Sequence, residues 1–203
     1  MHTKYYNSYL LVDLDRMCQN VEVILRELPQ EVQLIPVLKD DAYGLGLVPV
    51  ATTLLEFPKI RTMAVAHVSE GIALRRAGIS RKIDILVMGG IPNRMIRPAV
   101  DYGLTVAVGR LGLAHDLAQQ AAAQGTTARI QVKIETGLHR TGLLPGEELA
   151  LFLQEYSRCQ RLLEVTGAFT HFAYLSDKQR TQKQFEDYLA GTVQLEEGGL
   201  TLP

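Results

Sequence analysis

Short apolar runs alternate along this chain with segments of helical periodicity, and the runs are apolar throughout rather than at every second residue. Together these two features predict an α/β protein whose parallel strands are covered on both faces. A third observation chooses between the common architectures of that class. The segment after the first run, residues 39–46, holds only Gly44 and Gly46, the wrong spacing for a dinucleotide-binding turn. The prediction is therefore a parallel (β/α) barrel of the TIM type rather than a doubly wound sheet. Strands are expected at 33–38, 62–66, 83–88, 104–108, 128–134 and 164–169, about six βα units where a closed barrel needs eight.

Between the runs, residues 13–28 carry the cleanest helical pattern. Leu14, Met17, Cys18, Val21, Ile24, Leu25 and Leu28 follow the i, i+3, i+4, i+7 rule. Asp13 suits the N-cap, where a side-chain oxygen accepts from free N–H groups of the first turn. A second helix is expected over 70–77, started by Ser69 and followed by Gly78 in the left-handed position past its end. Further helices are expected at 111–123 and 145–156, with Pro145 acceptable at a first helical position.

The 203 residues are long for one small domain and short for two, so one α/β unit over 1–203 is expected. Hydrophobic content of 47% and charged content of 21% are ordinary for a folded soluble protein. A net charge of −1 gives no electrostatic ground for nucleic acid or an anionic membrane as partner. No apolar stretch approaches the roughly 20 residues needed to span a bilayer, and the first six residues lack the apolar core of a signal peptide. Cys18 and Cys159 have no metal-type spacing and read as free thiols in a reducing cytoplasm.

In such a barrel, reactive groups lie at the C-terminal ends of strands or just beyond them. "PVLKDDAYGLG" (36–46) brings Lys39 out of an apolar run, with Tyr43 behind it. "VKIETGLHRTG" (132–142) holds Lys133, Glu135, His139 and Arg140, and "THFAYLSD" (170–177) holds His171. A lysine, a tyrosine, an arginine and a histidine at one mouth point to an anionic, aromatic, carbonyl-bearing ligand. Each also has a plainer role: Lys39 a solvated strand-end charge, Tyr43 packed on the next helix, Arg140 paired with Glu135. His171 and His67 read equally as satisfied core histidines. The histidines lack metal-ligand spacing and no Ser/His/Asp order stands out, so no metal site is expected.

These segments also carry a resemblance. "VLKDDAYGLG" resembles the pyridoxal-phosphate attachment segment of alanine racemases, a pattern close to A-V-V-K-A-[DN]-A-Y-G-H-G. "KIETGLHRTG" is similar to that family's K-[IVML]-[DE]-T-G-M-x-R-[LT]-G loop, and "THFAYLSD" to its T-H-[FL]-A-x-[AS]-D segment. Near the start, "SYLLVDLDRMCQNVEVI" resembles the family's opening. The resemblance implies racemisation of L- to D-alanine for peptidoglycan precursors, with pyridoxal 5'-phosphate as cofactor and a small amino acid as substrate. It also implies that Lys39 holds the cofactor covalently and acts as catalytic base. Tyr43 would help hold the phosphate, Arg140 would orient the phenolic oxygen, and His171 would sit against the pyridine ring. Lys133 matches a lysine that is carbamylated in some members.

Several positions depart from the family pattern. Leu45 stands where the family usually has histidine, Leu138-His139 replaces Met-Gly or Met-His, and Thr141 stands where leucine is usual. Family members continue into further barrel strands and a C-terminal β domain, whose tyrosine serves the partner subunit of a homodimer. Residues 1–203 are accordingly expected to be the cofactor-binding portion of a longer enzyme, inefficient alone, with two sheet edges open to pairing. A serine or broad-specificity racemase is the alternative substrate reading. A chain that only binds cofactor or pairs with a partner is the alternative from a different class.

Overall fold

The computed structural model describes residues 8–202, so the N-terminal residues read above for a leader lie outside it. Five strands, β1 (Thr62–Val65), β2 (Asp84–Val87), β3 (Thr105–Val108), β4 (Ala128–Lys133) and β5 (Leu163–Phe169), pair in parallel in the order β1-β2-β3-β4-β5. A doubly wound sheet reverses its strand order at a switch point. This order never reverses, so the sheet is an open sector of a (β/α) barrel.

Neighbouring strand residues serve two different cores, which explains why the runs are apolar throughout. Met63, Val65, Ile85, Val87, Val106 and Val108 join the large core shared with the helices. Ala64, Leu86 and Ala107, between them in sequence, form a small inner cluster with Met88 and Phe169. Alternate residues therefore face opposite ways, as the strand period requires.

The expected first strand, 33–38, is corrected. It is reduced to a single parallel bridge, Val37 to Ala64, with Ala64 N–H donating to Pro36 and Leu38 N–H donating to Ala64. The next rung toward the N-terminus would need the N–H of residue 36 to reach Thr62, and Pro36 has none. Ile35 and Val37 stay exposed on this edge. The sheet thus has five strands and one bridged segment rather than six strands.

Around the sheet lie α1 (Leu14–Glu27), α2 (Lys39–Tyr43), α3 (Leu47–Leu54), α4 (Val68–Arg76), α5 (Ile96–Asp101), α6 (Leu113–Ala123), α7 (Glu147–Cys159) and α8 (Lys178–Glu197). Asp13 caps α1, accepting from Arg16 N–H at 3.0 Å. Its apolar stripe is narrower than the periodicity predicts, because Ile24 is exposed and Val21 is the buried residue. Helix α4 begins before Ser69, with His67 at the N-cap, so His67 is an exposed cap rather than a core histidine. Gly78 follows α4 at φ +95°, as a residue without Cβ permits. Pro145 precedes the Gly146 cap of α7 instead of opening the helix. The 20-residue α8 gives a weak sequence signal because its buried face is Gln184, Gly191 and Leu195, while Phe185, Leu189 and Val193 are exposed. Cys18 is half-buried and Cys159 buried, both as free thiols. Among the described residues no helix is long and apolar enough to cross a membrane.

Candidate active site

A cavity of about 400 Å³ opens at the C-terminal ends of the strands. Lys39, Tyr43, Lys133, Arg140 and His171 all line it, with Met88 and Phe169 as apolar wall. Three segments far apart in sequence therefore meet at one rim.

Lys39 enters this rim through an unusual backbone. Asp40, Asp41, Ala42 and Tyr43 follow it with φ of 54, 56, 53 and 57°, so α2 is a left-handed turn built from residues that carry a Cβ. Left-handed helix costs L-residues about 1–2 kcal/mol each, least where a short polar side chain bonds locally. Asp41 does so: its Oδ1 accepts from Leu47 N–H at 2.7 Å and its carbonyl from Gly46 N–H at 2.9 Å. The turn folds the chain back, leaving the Lys39 Nζ 5.5 Å from the centre of the Tyr43 ring. Strain of this kind persists where surrounding bonds over-determine it.

The second segment is organised by Glu135. Burial pushes its carboxyl pKa up, but the backbone N–H groups of His139, Gly137, Leu138 and Arg140 outweigh that and hold it below the ordinary value. The carboxylate thus gathers the loop after β4 around itself through main-chain groups. The pairing with the Arg140 side chain entertained from sequence is absent among the described ion pairs, and Arg140 faces the cavity. Gly142 closes the loop at φ +141°, where a Cβ would lie 2.8 Å from Glu135 N, too close for any other residue without a shift.

Lys133 ends β4 on the inner face and is only 4% exposed. Its Nζ donates to Thr141 Oγ1 at 2.6 Å and lies 5.8 Å from the Phe169 ring centre. Burial, then the neighbouring Arg140, push its amine pKa down, with Glu135 opposing. A charge held there at neutral pH is a cost to the fold. We therefore expect Lys133→Met, which fills similar space without the charge, to stabilise the chain by about 1 kcal/mol. The measurement is the urea midpoint at constant slope; a fall would show that the Thr141 bond outweighs desolvation.

The third segment depends on a bulge. Ile130 pairs with Val165 but Val132 pairs with Ala168, so β5 spends one extra residue at Thr166-Gly167, with Gly167 at φ +148°. Regular pairing of the same sequence onward from Val165 would set Ala168 against Lys133. With the bulge, Phe169 takes that place, and His171, two residues on, reaches the cavity. Burial first, then Arg140, Lys133 and Lys39, push the His171 pKa down. Its neutral form is favoured beside these cations.

Sequence reasoning did not single out Ala66, Met88, Gly89 or Gly90, which complete the wall. Gly89 is needed for space: a Cβ there would stand 2.4 Å from the Ala66 carbonyl oxygen. The available signal was a glycine pair directly after an apolar run, in the strand-end position where the barrel keeps its chemistry.

Fold and site together define a class: a (β/α)-barrel protein whose mouth presents amine, phenol, guanidinium and imidazole groups around one apolar-walled cavity. Comparison with known proteins narrows the class. The family model described as "Alanine racemase, N-terminal domain" matches residues 12–203, and the chain belongs to that family. It is 36% identical over 194 residues to an alanine racemase of Desulforamulus reducens, covering 94% of this chain and 51% of that protein. The solved alanine racemase of Streptomyces coelicolor superposes with a TM-score of 0.86 at 30% identity, covering 94% of this chain and 51% of that one. That of Bacillus anthracis, solved with bound L-Ala-P, gives 0.85 at 32% identity, covering 94% and 48%. The chain spans about half the length of the relatives it matches.

Proposed function

We propose that this chain is the pyridoxal-phosphate-binding part of an amino-acid racemase acting on alanine. The observation that carries the reading is the convergence of Lys39, Tyr43, Arg140, His171 and Lys133 on one cavity. These residues fit the cofactor chemically. An amine is available for its aldehyde, cationic and phenolic donors for its phosphate and phenolate, and Met88 and Phe169 for its ring. When bound, pyridoxal phosphate supplies an electron sink that makes the Cα–H of an attached amino acid acidic.

The chain's own residues supply the rest. Lys39 Nζ is the attachment point and the atom that moves a proton at the substrate Cα. Tyr43 Oη, at the end of the left-handed turn, would donate to the phosphate. Arg140 holds the phenolic oxygen, on a loop fixed by Glu135. His171, disfavoured as a cation, packs its neutral imidazole against the pyridine ring without adding charge. Lys133 is the candidate for carbamylation, which needs the neutral amine that burial favours. Alanine as substrate is supported by the L-Ala-P bound in the Bacillus anthracis relative. The reading carries with it a cytoplasmic homodimer supplying D-alanine to peptidoglycan precursors.

The test is chiral chromatography and Cα–H exchange in heavy water, using the cofactor-loaded protein with L-alanine and L-serine. Faster inversion of alanine supports the reading. Faster inversion of serine moves the assignment to a serine racemase. Bound cofactor without exchange on either substrate rejects catalysis in favour of a chain that only binds.

A further inference from the structure

The segment bearing Lys39 is held by a side chain outside the cavity. One more rung of parallel ladder past the Val37–Ala64 bridge would have Ala66 N–H donate to Leu38 and Asp40 N–H donate to Ala66. Neither bond forms. Instead Ala66 N–H donates to Glu70 Oε2 at 2.9 Å and Asp40 N–H donates to Glu70 Oε1 at 2.6 Å. His67 N–H shares Oε2, also at 2.9 Å. The Leu38 carbonyl is left to accept from Ala42 N–H at 3.0 Å, inside the left-handed turn.

One carboxylate therefore replaces a rung of the sheet and parts the two strands at the residue where Lys39 leaves. Glu70 sits in the first turn of α4, so a nine-residue helix anchors it. Among the described ion pairs Glu70 has none, and its charge is answered by main-chain donors. Bonds from N–H groups to an ionised acceptor are roughly twice as strong as neutral ones. Releasing Asp40 would free the start of the turn and, one residue back, the lysine.

We propose that Glu70 is a positioning residue for Lys39: by fixing the Asp40 N–H it aims the lysine amine into the cavity and sets the chain's affinity for pyridoxal phosphate. The inference rests on the cofactor reading above. The test compares Glu70→Gln with Glu155→Gln, whose carboxylate likewise holds a backbone N–H, that of Gly112 at 2.9 and 3.1 Å, away from Lys39. An amide at position 70 turns an NH₂ toward one of its donors. We expect Glu70→Gln to raise the pyridoxal-phosphate Kd about 10-fold and to speed hydrogen exchange at the Asp40 amide. Glu155→Gln should change the Kd less than about 2-fold, as expected of an independent site.

Parent-like Kd and Asp40 exchange in Glu70→Gln would overturn the proposal, as would an equal loss of affinity in Glu155→Gln. Should Glu70→Gln fail to fold, Glu70→Asp gives the same readings, since one methylene less keeps the acid on α4 while withdrawing it from Asp40. If the parent shows no Lys39-dependent cofactor absorbance, the cofactor reading has failed separately. Asp40 exchange then still decides whether Glu70 holds the turn.

Discussion

Replacing Lys39 by alanine should abolish covalent attachment of pyridoxal phosphate, so that borohydride reduction traps no adduct and the visible absorbance of the lysine-bound cofactor is lost. The expectation is all-or-none because the alternative amine is poorly placed. Lys133 lines the same cavity, but its Nζ is held by Thr141 and the residue is only 4% exposed. Lys39 is half-buried at the mouth and its Nζ makes no hydrogen bond among the described residues, facing instead the Tyr43 ring. Peptide mapping of the reduced protein separates the two. An adduct at Lys133 that survives Lys39→Ala would move the anchoring role from the first strand end to the fourth.

Phe152→Ala should cost about 3–5 kcal/mol, the range for emptying a large aromatic site in a core. Phe152 is fully buried in α7, stacks on Tyr156 with ring centres 6.1 Å apart, and belongs to the core between sheet and helices. Helix α7 packs on both α6 and α8, so the space left cannot close by moving one neighbour alone. Against a typical total of about 5–15 kcal/mol, the loss would leave a chain of ordinary stability marginal. Equilibrium urea unfolding measures it, and a loss below about 1 kcal/mol would mean that α7 collapses into the gap.

The mouth was legible because chemistry at strand ends is written in residue identity. Lys39, Tyr43, Lys133, Arg140 and His171 needed only the right fold class to be brought together. What escaped the sequence was set by main-chain bonds to distant side chains. Pro36 announces an interrupted ladder to anyone who counts rungs, but apolar periodicity does not count them. Nothing local to Lys39 says that Glu70, thirty residues beyond Asp40, will take the place of a strand partner. Helix α8 was faint for a simpler reason: Gln184 and Gly191 occupy its buried face, and neither registers as apolar.

The extra residue in β5 constrains how this part of the chain can change in length. The bulge already carries one residue more than the ladder needs, so losing one residue at Thr166-Gly167 would leave regular pairing with Phe169 still opposite Lys133. Losing both would bring Thr170 opposite Lys133 and turn Phe169 out of the inner layer. Between Val165 and His171 a deletion of one residue should therefore be tolerated and a deletion of two should not. A relative shorter by one here keeps its histidine at the mouth by running the strand without a bulge.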